Sequence, residues 1–137
     1  MPKILIMEDD PSLMKIYKAE FSIRGFEVVS AFDGEEGLKA SRENPPDVML
    51  LDLMMPKLSG LVVLEGLKQN TITRTIPVIV VTNFGQEENI RRALELGANE
   101  VILKYQVTPA EVVEKAQTLL DQLNEGKEEH RAPDSVS

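Results

Sequence analysis

The chain has 137 residues, enough for one domain with a full core but few for two. Its hydrophobic fraction of 42% and charged fraction of 28% are typical of a soluble globular protein. The absence of cysteine excludes disulfides and thiolate metal sites. With no apolar run long enough to span a membrane and no signal-peptide pattern, we expect a cytoplasmic protein. The net charge of −8 argues against direct binding to nucleic acid.

Short apolar runs alternate with amphipathic segments along the chain. Asp10 and Pro11 predict an N-cap and a first helical position, and Thr108 to Glu111 predict a capping box. Asp33-Gly34 is interpreted as a turn. The predicted strands cover residues 3–7, 27–31, 48–52, 78–82 and 100–103, and the predicted helices cover residues 11–24, 35–43, 59–69, 86–96 and 109–124.

This order is a β–α pair repeated five times. It predicts an α/β fold, a flavodoxin-like (βα)5 doubly wound parallel sheet of five strands in the order 2-1-3-4-5. Residues 1–124 form the expected domain. Residues 125–137 are polar and without periodicity, and we expect them to be a disordered tail with no output domain.

Polar residues follow four of the predicted strands, at the edge where open α/β sheets bind their ligands. They are Glu8 and Asp9 after the first strand, Asp52 after the third, Thr82 at the fourth and Lys104 after the fifth. Each has an ordinary interpretation: an acidic first helical turn, an aspartate opening a turn, a strand-end threonine and a solvated lysine. Together they are more specific, since close carboxylates repel one another unless a cation such as Mg²⁺ compensates them. A carboxylate nucleophile, a cation site, a lysine and a hydroxyl are the groups needed to form an aspartyl-phosphate.

Several of these segments together resemble a known family, the receiver domain of two-component response regulators. The resemblance covers about residues 2 to 124. It lies in Ile4-Leu5-Ile6-Met7-Glu8-Asp9-Asp10, Leu51-Asp52-Leu53-Met54-Met55-Pro56 with Gly60, Val81-Thr82, and Gly97-Ala98 followed by Lys104.

The resemblance implies a role for each matching residue. Asp52 would be the phosphoacceptor, and Asp9, Asp52 and the backbone carbonyl of Met54 would ligate Mg²⁺, with Glu8 helping through water. Thr82 and Lys104 would contact the phosphoryl group and report its presence.

The resemblance also implies a signalling domain rather than an enzyme. Its phosphodonor would be a phosphohistidine on a sensor histidine kinase or a histidine phosphotransfer protein. Output would pass through the face of the fourth helix, fifth strand and fifth helix to a protein target that the sequence does not identify, or to a second copy in a homodimer. No contact with membrane or nucleic acid is implied.

Three positions depart from the family pattern. Tyr105 stands where proline usually follows the lysine, so we expect a trans peptide bond and a reshaped loop, since a cis bond without proline costs about 3 kcal/mol. Val101 stands where the family has a switch aromatic. Asn83, the third, replaces a small residue and is expected to narrow access to Asp52.

Met54 and Phe84 occupy positions from which a side chain could orient a water for dephosphorylation. Both are apolar and cannot hold such a water by hydrogen bonding.

Three other functions fit parts of the pattern. A flavin or nucleotide binder on the same fold would need a phosphate loop after the first strand, where the acidic Glu8-Asp9-Asp10 instead repels phosphate. A haloacid-dehalogenase-like phosphohydrolase would need its aspartate pair there in a D-x-D spacing, which is absent. A degenerate receiver that binds partners without phosphorylation is favoured only by Val101 and Tyr105.

Overall fold

In the computed structural model the backbone is described for residues 1–83 and 86–136, and side chains are described up to residue 126. The strands are β1 Lys3–Met7, β2 Glu27–Ala31, β3 Val48–Leu51, β4 Val78–Thr82 and β5 Glu100–Leu103. The helices are α1 Pro11–Ile23, α2 Gly34–Glu43, α3 Gly60–Gln69, α4 Glu87–Glu95 and α5 Pro109–Val136, with a 3₁₀ turn at Lys104–Gln106.

Within these residues the five strands form one parallel sheet in the order β2-β1-β3-β4-β5. The predicted flavodoxin-like (βα)5 fold is therefore confirmed. The register pairs Met7 of β1 with Leu51 of β3, so the residues after them, Glu8 and Asp52, leave the sheet side by side. The Asp52 backbone N–H donates to the Met7 carbonyl at 3.0 Å and fixes this neighbourhood.

Apolar side chains cover both faces of the sheet, as strands buried on two sides require. One core lies between the sheet and α1 and α5, and its buried members include Ile4, Ile6, Phe21, Ile79 and Val113. The other lies under α2, α3 and α4, and its buried members include Leu5, Met7, Leu64, Val80 and Ala93. No helix in the described part of the chain is long and apolar enough to cross a membrane.

The predicted helix caps at α1 and α5 are confirmed. The Asp10 carboxylate accepts hydrogen bonds from the Ser12 and Leu13 amides, at 2.9 and 3.3 Å. The Thr108 hydroxyl accepts from the Glu111 amide at 3.2 Å while the Glu111 carboxylate accepts from the Thr108 amide at 3.3 Å.

The predicted bounds of β3, α1, α3 and α4 differ from the structure by one residue at one or both ends, and two further boundaries are wrong. Asp33 is not in a free turn but is the N-cap of α2, accepting from the Glu36 amide at 2.8 Å, and Gly34 is already helical. The fifth helix does not end near Asn124 but continues to Val136, although Gly126 and Pro133 in this stretch both disfavour helix. The division into a domain and a tail at residue 124 stays a prediction.

Candidate functional site

Asp52 is the centre of the polar edge of the sheet. It directly follows β3, and only 6% of its surface is exposed. Its Oδ1 atom accepts a hydrogen bond from the Met54 backbone N–H at 3.0 Å, and its Oδ2 atom accepts one from the Lys104 ammonium at 2.7 Å. Both carboxylate oxygens are therefore held in a defined orientation.

Lys104 reaches the site from the end of β5, and its side chain is 14% exposed. Besides Asp52 it contacts Glu8, with its Nζ atom 3.0 Å from both Glu8 carboxylate oxygens. The sequence predicted that these three residues share one edge of the sheet, and the structure brings them together. The direct contact between Lys104 and Glu8 was not predicted, because it depends on the register of strands β1, β3 and β5.

The pKa values of this cluster follow from its burial and charges. Burial raises the pKa of Glu8 to about 8, and the neighbouring Asp52 carboxyl group adds to the increase although Lys104 opposes it. Burial acts to lower the pKa of Lys104, but its hydrogen bonds and attraction to Asp52 and Glu8 outweigh that effect and raise it. One lysine charge thus stabilises a pair of carboxyl groups that would otherwise repel each other.

The site also has the donor set of a hard divalent cation. Glu8, Asp9 and Asp52 each present a carboxylate oxygen, and these oxygens lie within 4.8 Å of one another. Asp9 is exposed while the other two are buried, so a cation could keep water on its open side. Mg²⁺ prefers such an arrangement, with a few carboxylates and several waters. The residues present therefore fit this ion.

The remaining predicted site residues that the structure describes differ in their exposure to solvent. Thr82 is fully buried at the end of β4, and Asn83 beside it is exposed. Met54 is 55% exposed, and its predicted role as a carbonyl ligand is compatible with its place two residues after Asp52. Phe84, predicted to limit water access, lies outside the described residues.

The positions that depart from the family pattern can be compared with their predictions. The bond between Lys104 and Tyr105 is trans, as predicted, and the loop forms a 3₁₀ turn. Tyr105 is 68% exposed. Val101 is partly buried and packs against the core under α2, α3 and α4. Its inability to act as an aromatic switch stays a prediction.

Sequence reasoning missed one contact beside the site. The Nζ atom of Lys57 lies 3.4 Å from Oδ2 of Asp33, and this ion pair joins the loop after Asp52 to the start of α2. Lys57 has a φ of 72°, which a lysine rarely adopts. The Asp33-Gly34 pair could have identified the helix start, but nothing in the sequence indicates the conformation of Lys57.

Comparison with known proteins agrees with this geometry. The family model of the response regulator receiver domain matches residues 4–117. The chain is 33% identical to the probable transcriptional regulator ycf27 of Porphyridium aerugineum, over 97% of this chain and 54% of that protein. It therefore spans about half the length of that relative.

Two solved structures are similar along nearly their whole length. A CheY-like receiver domain protein from Methanospirillum hungatei JF-1 superposes with a TM-score of 0.85 at 28% identity, covering 92% of this chain and 98% of that one. The BeF3-activated N-terminal receiver domain of Klebsiella pneumoniae RstA gives a TM-score of 0.78 at 27% identity, covering 86% and 97%.

Proposed function

The chain belongs to the response regulator receiver domain family, and from this premise we propose that it accepts a phosphoryl group on Asp52 in a two-component phosphorelay. The observation that carries the proposal is the buried Asp52 carboxylate held at 2.7 Å from Lys104. The donor is a phosphohistidine of a sensor histidine kinase or a histidine phosphotransfer protein. The phosphorylated protein then changes its contacts with a protein target.

The transfer is a displacement at phosphorus. A carboxylate oxygen of Asp52 attacks the phosphorus, a new O–P bond forms, and the P–N bond to the donor imidazole breaks with its electron pair leaving on nitrogen. Lys104 places a compact positive charge beside the attacking carboxylate, where it can stabilise the added phosphoryl oxygens. Thr82, at the end of the adjacent strand β4, supplies a hydroxyl.

Glu8, Asp9, Asp52 and the Met54 carbonyl are the groups that would hold Mg²⁺, which when bound neutralises negative charge on the phosphoryl oxygens. In the absence of the cation, Lys104 holds Asp52 and Glu8 in place through its hydrogen bonds. The Met54 N–H orients the Asp52 carboxylate through Oδ1, leaving Oδ2 on the lysine side.

Output is assigned to the surface formed by α4, β5 and α5, which would contact a protein target or a second copy of the chain. Direct contact with nucleic acid is not part of the proposal, since the net charge is −8. The transcriptional activity named for ycf27 belongs to a protein about twice as long.

The proposal is tested by Asp52→Asn, which keeps the shape of the side chain but removes the nucleophile. Wild-type protein incubated with acetyl phosphate and Mg²⁺ should gain one acid-labile phosphate by intact mass spectrometry, and Asp52→Asn should gain none. Asp121→Asn on the exposed surface of α5 is the matched control and should label like the wild type. Full labelling of Asp52→Asn would assign the acceptor elsewhere, and no labelling of the wild type would favour a degenerate receiver.

A further inference from the structure

The loop between Asp52 and α3, residues 53–59, is called the acceptor loop below. It carries Met54, whose backbone contacts Asp52. It also carries Lys57, the only non-glycine residue in the described part of the chain with a positive φ, at 72°. That conformation is unfavourable for a residue with a Cβ atom and persists only where the surroundings hold it.

An ion pair to α2 is one such constraint. Lys57 Nζ lies 3.4 Å from Asp33 Oδ2, and the Asp33 side chain is only 16% exposed while that of Lys57 is 59% exposed. The other carboxylate oxygen of Asp33, Oδ1, accepts a hydrogen bond from the Glu36 amide, which makes Asp33 the N-cap of α2. That hydrogen bond, assisted by Lys57, keeps the pKa of Asp33 below its ordinary value.

The backbone of the acceptor loop also lies directly against α2. A Cβ atom added at Gly34 would lie 2.8 Å from the Leu58 Cβ atom and 3.0 Å from the Leu58 carbonyl oxygen. The Gly60 amide closes the other end of the loop by donating to the Leu53 carbonyl at 2.8 Å. Lys57 is therefore the loop residue that connects this packed backbone to a charge on α2.

We propose that Lys57, through its ion pair with Asp33, is a positioning residue for the phosphoacceptor site. The pair holds the acceptor loop so that Met54 presents its N–H to Asp52 and its carbonyl to the cation. This inference rests on the proposed function, since it assigns the pair to the same site. Neither Lys57 nor Asp33 touches Asp52 or the other carboxylates of the cluster.

The proposal predicts an effect opposite in sign to simple electrostatics. Lys57 is a positive charge near an acidic cluster, so its removal should strengthen cation binding if charge alone acts. If Lys57 positions the loop, its removal should weaken cation binding. Asparagine is the informative replacement, because it tolerates a positive φ better than lysine and so does not strain the fold.

The experiment compares Lys57→Asn, Asp33→Asn and the double variant with the wild type. Asparagine at residue 33 still caps a helix, so only the charge is lost. Lys39→Gln is the control, because it removes a lysine from an ion pair within α2, with Glu43 at 3.9 Å, in which both side chains are exposed. The readouts are the Mg²⁺ affinity by titration, the hydrogen exchange rate of the Met54 amide in metal-free protein, and urea unfolding.

Each single variant should bind Mg²⁺ about threefold more weakly than the wild type. The double variant should bind no more weakly than either single variant, since all three remove the same ion pair between Lys57 and Asp33. The Met54 amide should exchange faster in all three, while Lys57→Asn should not be less stable than the wild type. Lys39→Gln should change neither the affinity nor the exchange rate.

Two results would overturn the proposals separately. The positioning role is excluded if Lys57→Asn binds Mg²⁺ as tightly as the wild type or more tightly and its Met54 amide exchanges at the wild-type rate. This result counts where the wild type itself binds Mg²⁺ and is phosphorylated. A wild type that neither binds Mg²⁺ nor gains phosphate instead refutes the proposed function.

Discussion

Lys104 lies between two buried carboxyl groups, and this position links the protonation of Glu8 to the charge of the whole site. Its ammonium is 3.0 Å from both Glu8 oxygens and 2.7 Å from Asp52. Burial, with the neighbouring Asp52 carboxyl group, raises the pKa of Glu8 to about 8 although Lys104 opposes the increase. A cation that takes the Glu8 carboxylate as a ligand must therefore release a proton or displace the lysine.

This shift predicts how the metal-free fold responds to pH. The pKa of Glu8 is raised from 4.5 to about 8, so between these values the folded state binds a proton that the unfolded state has lost. Because the native state then binds more protons than the unfolded state, the free energy of unfolding falls as pH rises through this window. Glu8→Gln should remove that part of the pH dependence.

Urea unfolding in the presence of a chelator, at several pH values across the same window, measures this effect. Asp9→Asn changes an exposed member of the same acidic cluster and should retain the wild-type decline in stability. A wild type whose stability is constant over the window, or a Glu8→Gln variant that declines as steeply, would contradict the protonation of Glu8.

At the scale of elements, the start of α3 closely approaches the chain that directly follows β3, and this constrains the acceptor loop. Gly60, the first residue of α3, lies so near the chain after β3 that an added Cβ atom would be 2.6 Å from the Asp52 carbonyl oxygen and closer still to Leu53. Both obstacles are backbone, which cannot rotate away. Gly60→Ala must therefore shift α3 or the acceptor loop.

Gly60→Ala is expected to lower the free energy of unfolding by roughly 1–3 kcal/mol, as overpacking does, and to slow phosphorylation of Asp52. Urea unfolding and the labelling rate with acetyl phosphate measure the two effects. Gly126→Ala in α5 is the control, since nothing lies within 4 Å of its added Cβ atom. Wild-type stability and labelling in Gly60→Ala would show that the loop tolerates the shift.

The elements themselves were largely predictable from the sequence, for a physical reason. Strands β1, β2, β4 and β5 have the predicted bounds because apolar runs and turn residues delimit them locally. The start of α2 was misplaced because Asp33 can open a turn or cap a helix, and the choice depends on packing of Gly34 against Leu58. The length of α5 was underestimated because the chain beyond Asn124 has no apolar stripe and contains Gly126 and Pro133, which both disfavour helix.

The site was predictable in its members but not in its contacts. A parallel sheet brings strand ends to one edge, which is enough to group Glu8, Asp52 and Lys104. Which of them touch depends on register and side-chain reach, so the bridging position of Lys104 required the structure. The pair of Asp33 and Lys57 could not be predicted, because lysine does not favour the positive φ that directs it.

Across the whole molecule, α4 is held less firmly than the helices that support the site. In the described residues α4 buries only Ala93, whereas α3 buries four residues. Its N-cap, Gln86, makes no side-chain capping hydrogen bond. Elements with few buried contacts are the ones that move at low cost.

A cavity of about 390 Å³ separates α4 from the acceptor loop. Its lining includes Met54 and Met55 on one side and Asn89 of α4 on the other. The start of α4 therefore has free space beside the residues that contact Asp52.

These features predict the route by which phosphorylation would alter the surface. Because Val101 lacks the aromatic ring of the family switch and lies partly buried against the core, the change should travel through Thr82 and the chain leading into α4. Addition of beryllium fluoride with Mg²⁺ should shift the backbone amide signals of residues 86–91 more than that of Val101. Two-dimensional NMR of the isotope-labelled chain measures this, and Asp52→Asn under the same conditions should show no such shifts. Large changes at Val101 with none at residues 86–91 would place the route through β5 instead.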